Sequence, residues 1–187
     1  MNSKKPSSVG LGTPTEARQS QGSGKPDLGQ LAAMGPNCVI EPGALIFHPE
    51  RIFLGEGVYV GHGSILKGYH NSDLRIGDHS WIGQQCFFHS AGGLTIGMHV
   101  GIGPAVKIIT SAHTENGRAT PILLSPLAFA AVHIEDDADI GTAAVILPGV
   151  CIGKGAQIGA GSVVSRDIPA YAVAAGVPAR VLRMRPE

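Results

Sequence analysis

At 187 residues, 43% apolar and only 15% charged, the chain suits one folded unit with enough apolar side chains to build a core. Its 14 basic and 14 acidic residues cancel, which excludes a chain-wide field drawing it to nucleic acid or an anionic membrane. Cys38, Cys86 and Cys151 cannot all pair within one chain and match no zinc or redox spacing, and no stretch approaches the ~20 apolar residues of a membrane span; a reducing, cytoplasmic setting is expected, with no membrane partner.

Residues 1 to about 30 are rich in Ser, Gly, Pro, Lys and Gln and lack apolar periodicity, so burial cannot offset their ordering entropy. A disordered arm is expected there, with one folded domain over 31–187. Lys4 and Lys5 are followed by no apolar run of the kind an export signal carries.

From Met34 onward an aliphatic residue returns every six positions: Met34 and Ile40, Leu54 and Val60, Ile76 and Ile82, Ile96 and Ile102, then Ile134, Ile140, Ile146, Ile152 and Ile158. Four residues after every one of these starts lies a small side chain, from Cys38 and Ala44 to Ala156 and Ser162. Glycine follows most of them directly, as at Gly55, Gly61, Gly83 and Gly141. Neither helical periodicity nor the period-two alternation of a sandwich strand produces this pattern. It fits an all-β triangular coil in which each hexad forms one short parallel strand and three hexads close a turn. The rhythm is expected to break around 46–53, 66–75 and 108–133. The last break yields a loop protruding at about 110–131, polar at first (Ser111, His113, Glu115, Asn116, Arg118) and then apolar (Ile122, Leu123, Leu124, Leu127, Phe129). So apolar a loop needs a partner surface, and flat coil faces beside it point to a homotrimer with clefts between subunits.

The Thr-Ser-Ala-His run at 110–113, the segment 132–185 and its Gly-Val-Pro-Ala-Arg ending at 176–180 resemble the hexapeptide-repeat acetyltransferases, most closely those acting on maltose, galactosides, nodulation factors and polysaccharide precursors. The resemblance covers 34–187 and implies a left-handed parallel β-helix. It implies acetyl-CoA as acyl donor, a sugar hydroxyl as acceptor and direct transfer without an acyl-enzyme. Such an acceptor is a poor nucleophile near neutral pH, and histidine, with an ordinary pKa of about 6.5, suits the base that must take its proton. His113 matches the family's catalytic histidine, and His89 falls where shorter members place an acceptor-contacting asparagine. Thr142 and Ala160 match positions along the pantetheine arm, Ser165 and Arg166 a Thr-Lys pair, and Arg180 and Arg183 basic residues near the 3′-phosphate, which guanidinium forks serve well. Asp139 departs from the family's usual tryptophan, which leaves the acceptor open; amino-sugar N-acetyltransferases and a non-catalytic assembly subunit stand as alternatives. No metal is expected: the γ-carbonic anhydrases on this coil need two histidines five positions apart, and no two here are that close. His48, His62, His70, His79, His99 and His133 read as solvated or structural.

Overall fold

The computed structural model describes residues 20–69 and 71–187; residues 1–19, and with them most of the expected arm, and His70 lie outside the described residues. The chain winds as a left-handed parallel β-helix of just under seven coils. Its first face stacks Ala33–Met34, Ile52–Leu54, Leu74–Ile76, Leu94–Ile96, Val132–Ile134 and Cys151–Ile152. The second stacks Val39–Ile40, Tyr59–Val60, Trp81–Ile82, Gly101–Ile102, Asp139–Ile140, Gln157–Ile158 and Ala172–Gly176, to which Ala179–Met184 adds an antiparallel edge. The third stacks Leu45–Phe47, Ile65–Lys67, Phe87–His89, Lys107–Ile109, Val145–Ile146 and Val163–Val164.

The hexad start points inward: Ile82, Ile102, Ile140 and Ile146 are completely or almost completely buried, each on the same residue type or a close relative in the coil above. The glycine after it is required by the next coil, whose backbone crosses directly over it. A Cβ at Gly83 would lie 2.6 Å from Pro104 N, and one at Gly103 2.6 Å from Thr142 N. The small corner residue fits because the chain turns there, and three of them donate to the coil above: Ser64 Oγ to Gly83 O (2.8 Å), Ser80 Oγ to Gly97 O (2.8 Å), Cys38 Sγ to Gly55 O (3.0 Å). Cys86 does the same to Gly103 O (3.3 Å), and burial pushes its thiol up to about 11, so it packs as an inert small hydrophobe.

The expected breaks need correction. Ile46, Leu66, Phe88 and Ile108 are all buried on the third face, so the six-residue rhythm runs through them and each excursion begins later. From one coil's third face to the next coil's first, Ile46 to Leu54 spans eight residues, Leu66 to Ile76 ten, Phe88 to Ile96 eight and Ile108 to Ile134 twenty-six. The excursion after Phe88 is not among the expected breaks, although Ile82 and Ile96 stand as far apart as Ile40 and Leu54. All third-face starts but Ile146 are masked because a side chain, not glycine, follows them: Phe47, Lys67, His89, Ile109 and Ser165. At this edge of the triangle the excursions leave the coil.

Residues just before the first coil lie on the same face. Ile46 N–H donates to Gly24 O at 2.7 Å, and Lys67 Nζ donates to Gln21 Oε1 at 2.5 Å.

Candidate functional site

The longest excursion leaves the third face after Lys107–Ile109 and returns at Val132–Ile134. Its stems close on themselves: Ala130 N–H donates to Thr110 O (2.9 Å), and Thr110 Oγ1 accepts from Gly92 N–H (2.8 Å) while donating to His89 O (2.7 Å). Ser111–His113 then pairs antiparallel with Leu127–Phe129, placing His113 opposite Leu127. The tip carries a single 3₁₀ turn, Ile122–Leu124, whose side chains are 53%, 58% and 44% exposed, so the coil beneath does not cover the loop's apolar half.

His113 is half-buried, and its Nδ1 lies 2.9 Å from the Ser125 carbonyl. A carbonyl only accepts, so Nδ1 carries the proton and the Nε2 lone pair is left as an acceptor. Thr114 fastens the hairpin beside it, its N–H and hydroxyl both donating to Pro126 O at 2.8 and 3.0 Å. The imidazole is oriented by a short two-stranded support.

His89 stands on the rung directly below Ile109, four residues ahead of His113 in the chain. Its ring lies between Phe87 (centroids 6.2 Å) and the edge-on ring of Tyr69 (5.7 Å). Burial, and then the charge of Lys67, hold its pKa below the ordinary imidazole value. A lowered folded-state pKa means that, below an ordinary value of about 6.5, the unfolded chain binds a proton the folded one refuses, so stability is lost as pH falls through that window. Thermal melting at about pH 7.5 and 5.5 should show a larger acid-side loss for the parent than for His89→Asn. Equal losses would place the titration elsewhere.

The expected cofactor residues all lie on the C-terminal coils but at three places. Thr142 and Ala160 are exposed on consecutive coils at the corner between the second and third faces, where Gly161 N–H donates to Thr142 O at 2.8 Å. Ser165 and Arg166 are exposed at the far edge of the third face, just past Val163–Val164. Arg180 and Arg183 are exposed on the edge strand, opposite Ala175 and Val173, beyond a turn containing Gly176 (φ +105°) and the cis Val177–Pro178 bond. Among the described residues no carboxylate pairs with any of these three arginines. Val145, Leu147 and Val163 line the third face between the two edges, so the region offers an apolar strip flanked by hydroxyl, backbone and guanidinium donors.

Asp139 is exposed on the second face next to Gly101, with its Oδ1 2.8 Å from where a Gly101 Cβ would be. The one tryptophan of the chain, Trp81, is the rung before Gly101 and stacks on Tyr59 at 5.7 Å, a pairing no motif announced. Among the other histidines, His79 and His99 stack at 5.5 Å with positive φ at the corner between the first two faces. Among the described residues no group of three or more His, Cys, Asp or Glu side chains could hold a metal ion, and no helix is long and apolar enough to cross a membrane.

No family model matches the chain. A protein of Schizosaccharomyces pombe named as a candidate acetyltransferase is 36% identical over 112 residues, 59% of this chain and 53% of that protein. The 2,3,4,5-tetrahydropyridine-2,6-dicarboxylate N-acetyltransferase of Staphylococcus aureus is 44% identical over 77 residues, 41% of this chain and 32% of the enzyme. The chain thus spans about half or less of these curated relatives. Among solved structures, a hexapeptide-repeat containing acetyltransferase from Vibrio cholerae superimposes with a TM-score of 0.61 at 28% identity, over 83% of this chain and 75% of that one, and has also been solved with acetyl-CoA. AntD, an N-acyltransferase from Bacillus cereus solved with coenzyme A and dTDP-4-amino-4,6-dideoxyglucose, gives a TM-score of 0.76 at 22% identity, over 84% and 86% of the two chains.

Proposed function

We propose that the chain is a hexapeptide-repeat acyltransferase that moves an acetyl group from acetyl-CoA to a sugar-like acceptor, with His113 as general base. The observation that carries the reading is the His113 Nδ1 contact to the Ser125 carbonyl, on a hairpin anchored at the third-face edge where the longest excursion leaves the coil. Nε2 takes the proton of the acceptor hydroxyl as its oxygen attacks the thioester carbon; the C–S bond then breaks and the proton passes to the departing sulfur. The thioester supplies the activated acyl carbon, so the protein need only align the partners and move one proton. The coil likeness to proteins named as acetyltransferases, one of them solved with acetyl-CoA, supports the same reading.

An amine of an amino or nucleotide sugar is the second acceptor. The similar Staphylococcus aureus enzyme and AntD are named for N-acyl transfer, and the same base serves an ammonium group that must lose its proton. The exposed Ile122, Leu123 and Leu124 favour a homotrimer in which each loop packs on a neighbour's coil. Light scattering should give three chains per particle; a stable monomer that turns over at micromolar concentration contradicts this.

Cofactor placement is tested through the unpaired arginines. A charge-assisted contact to the 3′-phosphate contributes about 1.5–3 kcal/mol, so coenzyme A should bind roughly one to two orders of magnitude tighter than dephospho-coenzyme A. Arg180→Ala and Arg166→Ala should each weaken coenzyme A and narrow that preference in calorimetry, with Arg183, Ser165, Thr142 and Ala160 completing the strip. Equal affinity of the parent for both cofactors leaves these arginines as solvated surface, and no affinity for either favours an assembly subunit.

A further inference from the structure

On the third face, toward the N-terminus, two basic side chains stand on adjacent rungs. Lys67 and His89 are register partners in neighbouring parallel strands, which puts their backbones about 4.8 Å apart. Tyr69 meets the His89 ring edge-on, and His48 follows at 6.1 Å from Tyr69. The file lies directly below the hairpin, because the next rung after His89 is Ile109, where the excursion that carries His113 begins.

Charge is unbalanced at this place. The Lys67 ammonium donates to a neutral amide, Gln21. The nearby carboxylates pair with other groups: Glu50 with His48 at the end of the file, and Asp73 with Arg51 and Arg75. Burial lowers the pKa of Lys67, burial and then Lys67 lower that of His89, and among the described residues no carboxylate opposes either shift. A half-buried ammonium without a counter-charge is costly to keep, and an arriving anion removes that cost.

Two substrates must meet at His113, and the coil gives each a direction. The fifth and later coils hold the strip assigned to coenzyme A, so the acceptor approaches over the second and third coils. Resting on the transferase reading, we propose that Lys67 and His89 form an oxyanion subsite of the acceptor pocket, with Tyr69 as its aromatic wall. The acceptor therefore carries a phosphate or a carboxylate in addition to the hydroxyl or amine that is acylated. The carboxylate-bearing sugar acids and the phosphate-bearing sugars are the two sources of that group.

The test is calorimetry on the full chain, with and without saturating coenzyme A, titrating glucose, glucose 1-phosphate and glucuronate. At least one anionic sugar should bind about tenfold or more tighter than glucose. Lys67→Gln should erase that advantage and Lys67→Arg keep it. Arg75→Gln, which removes a basic residue stacked over Phe53 on the first face, should leave it in place. A response to glucose 1-phosphate alone assigns the subsite to phosphate, and one to glucuronate alone to a sugar acid. Equal affinity for all three sugars, binding of none, or a preference that survives Lys67→Gln overturns the subsite. Failure of coenzyme A to bind overturns the transferase reading instead, and the titrations without coenzyme A still decide the subsite.

Discussion

His113→Ala is expected to lower kcat by about 10²–10⁴-fold while coenzyme A affinity changes little, because a general base acts in the transition state and not in cofactor binding. The hairpin explains why the loss should be confined to chemistry. Ser111–His113 and Leu127–Phe129 are held by backbone pairing and by Thr114, none of which needs the imidazole. Removing the ring leaves the carbonyl of the buried Ser125 without this partner, a cost local to the loop and away from the cofactor strip. His113→Gln offers a comparable size without a titratable nitrogen and should be as slow. If kcat of His113→Ala stayed within about twofold of the parent, the base would have to be sought elsewhere, with His89 the next residue to replace.

Phe88→Ala is expected to cost about 3–5 kcal/mol of folding stability, read from the denaturant midpoint by far-ultraviolet circular dichroism. Phe88 is fully buried and is the largest fully buried side chain, filling the third-face column between Leu66 and Ile108. Emptying it leaves a cavity that neighbours cannot fill, since each coil is fixed by pairing above and below. Phe88→Leu keeps most of the volume and should cost less than half as much. Similar midpoints for Phe88→Ala and the parent would mean that the third column contributes little to the core.

The first two faces of the coil were legible because their constraint is local. Where the next coil's backbone crosses within 2.6 Å of a would-be Cβ, as at Gly83 and Gly103, only glycine fits, and the glycine marks the aliphatic start before it. The third face carries no such mark: Ile46, Leu66 and Ile108 are followed by Phe47, Lys67 and Ile109, so they read as breaks. The residues that leave the coil there make up much of the candidate site. His113 could be found from its motif, because the loop holding it is contiguous in sequence. Lys67 and Tyr69 could not, because their proximity to His89 depends on how many residues each corner inserts. The ten-residue span from Leu66 to Ile76 sets a 22-residue offset between Lys67 and His89, where an uninterrupted coil would need 18. Thr142 and Ala160 are separated by that uninterrupted 18, and the structure stacks them as expected. Trp81 and Asp139 stand two rungs apart on the second face, a proximity that the long excursion between them hides in the sequence.

Whether His113 is the base of an acetyl transfer is decided by thiol release from acetyl-CoA, followed for the full chain and for His113→Ala against neutral sugars, amino sugars, sugar phosphates, sugar acids and nucleotide sugars. At least one acceptor should drive release about 10²-fold or more faster with the parent than with His113→Ala, with one acetyl group gained on a hydroxyl or amine of the product. Tight coenzyme A binding with no acceptor raising release above the His113→Ala rate would contradict that role.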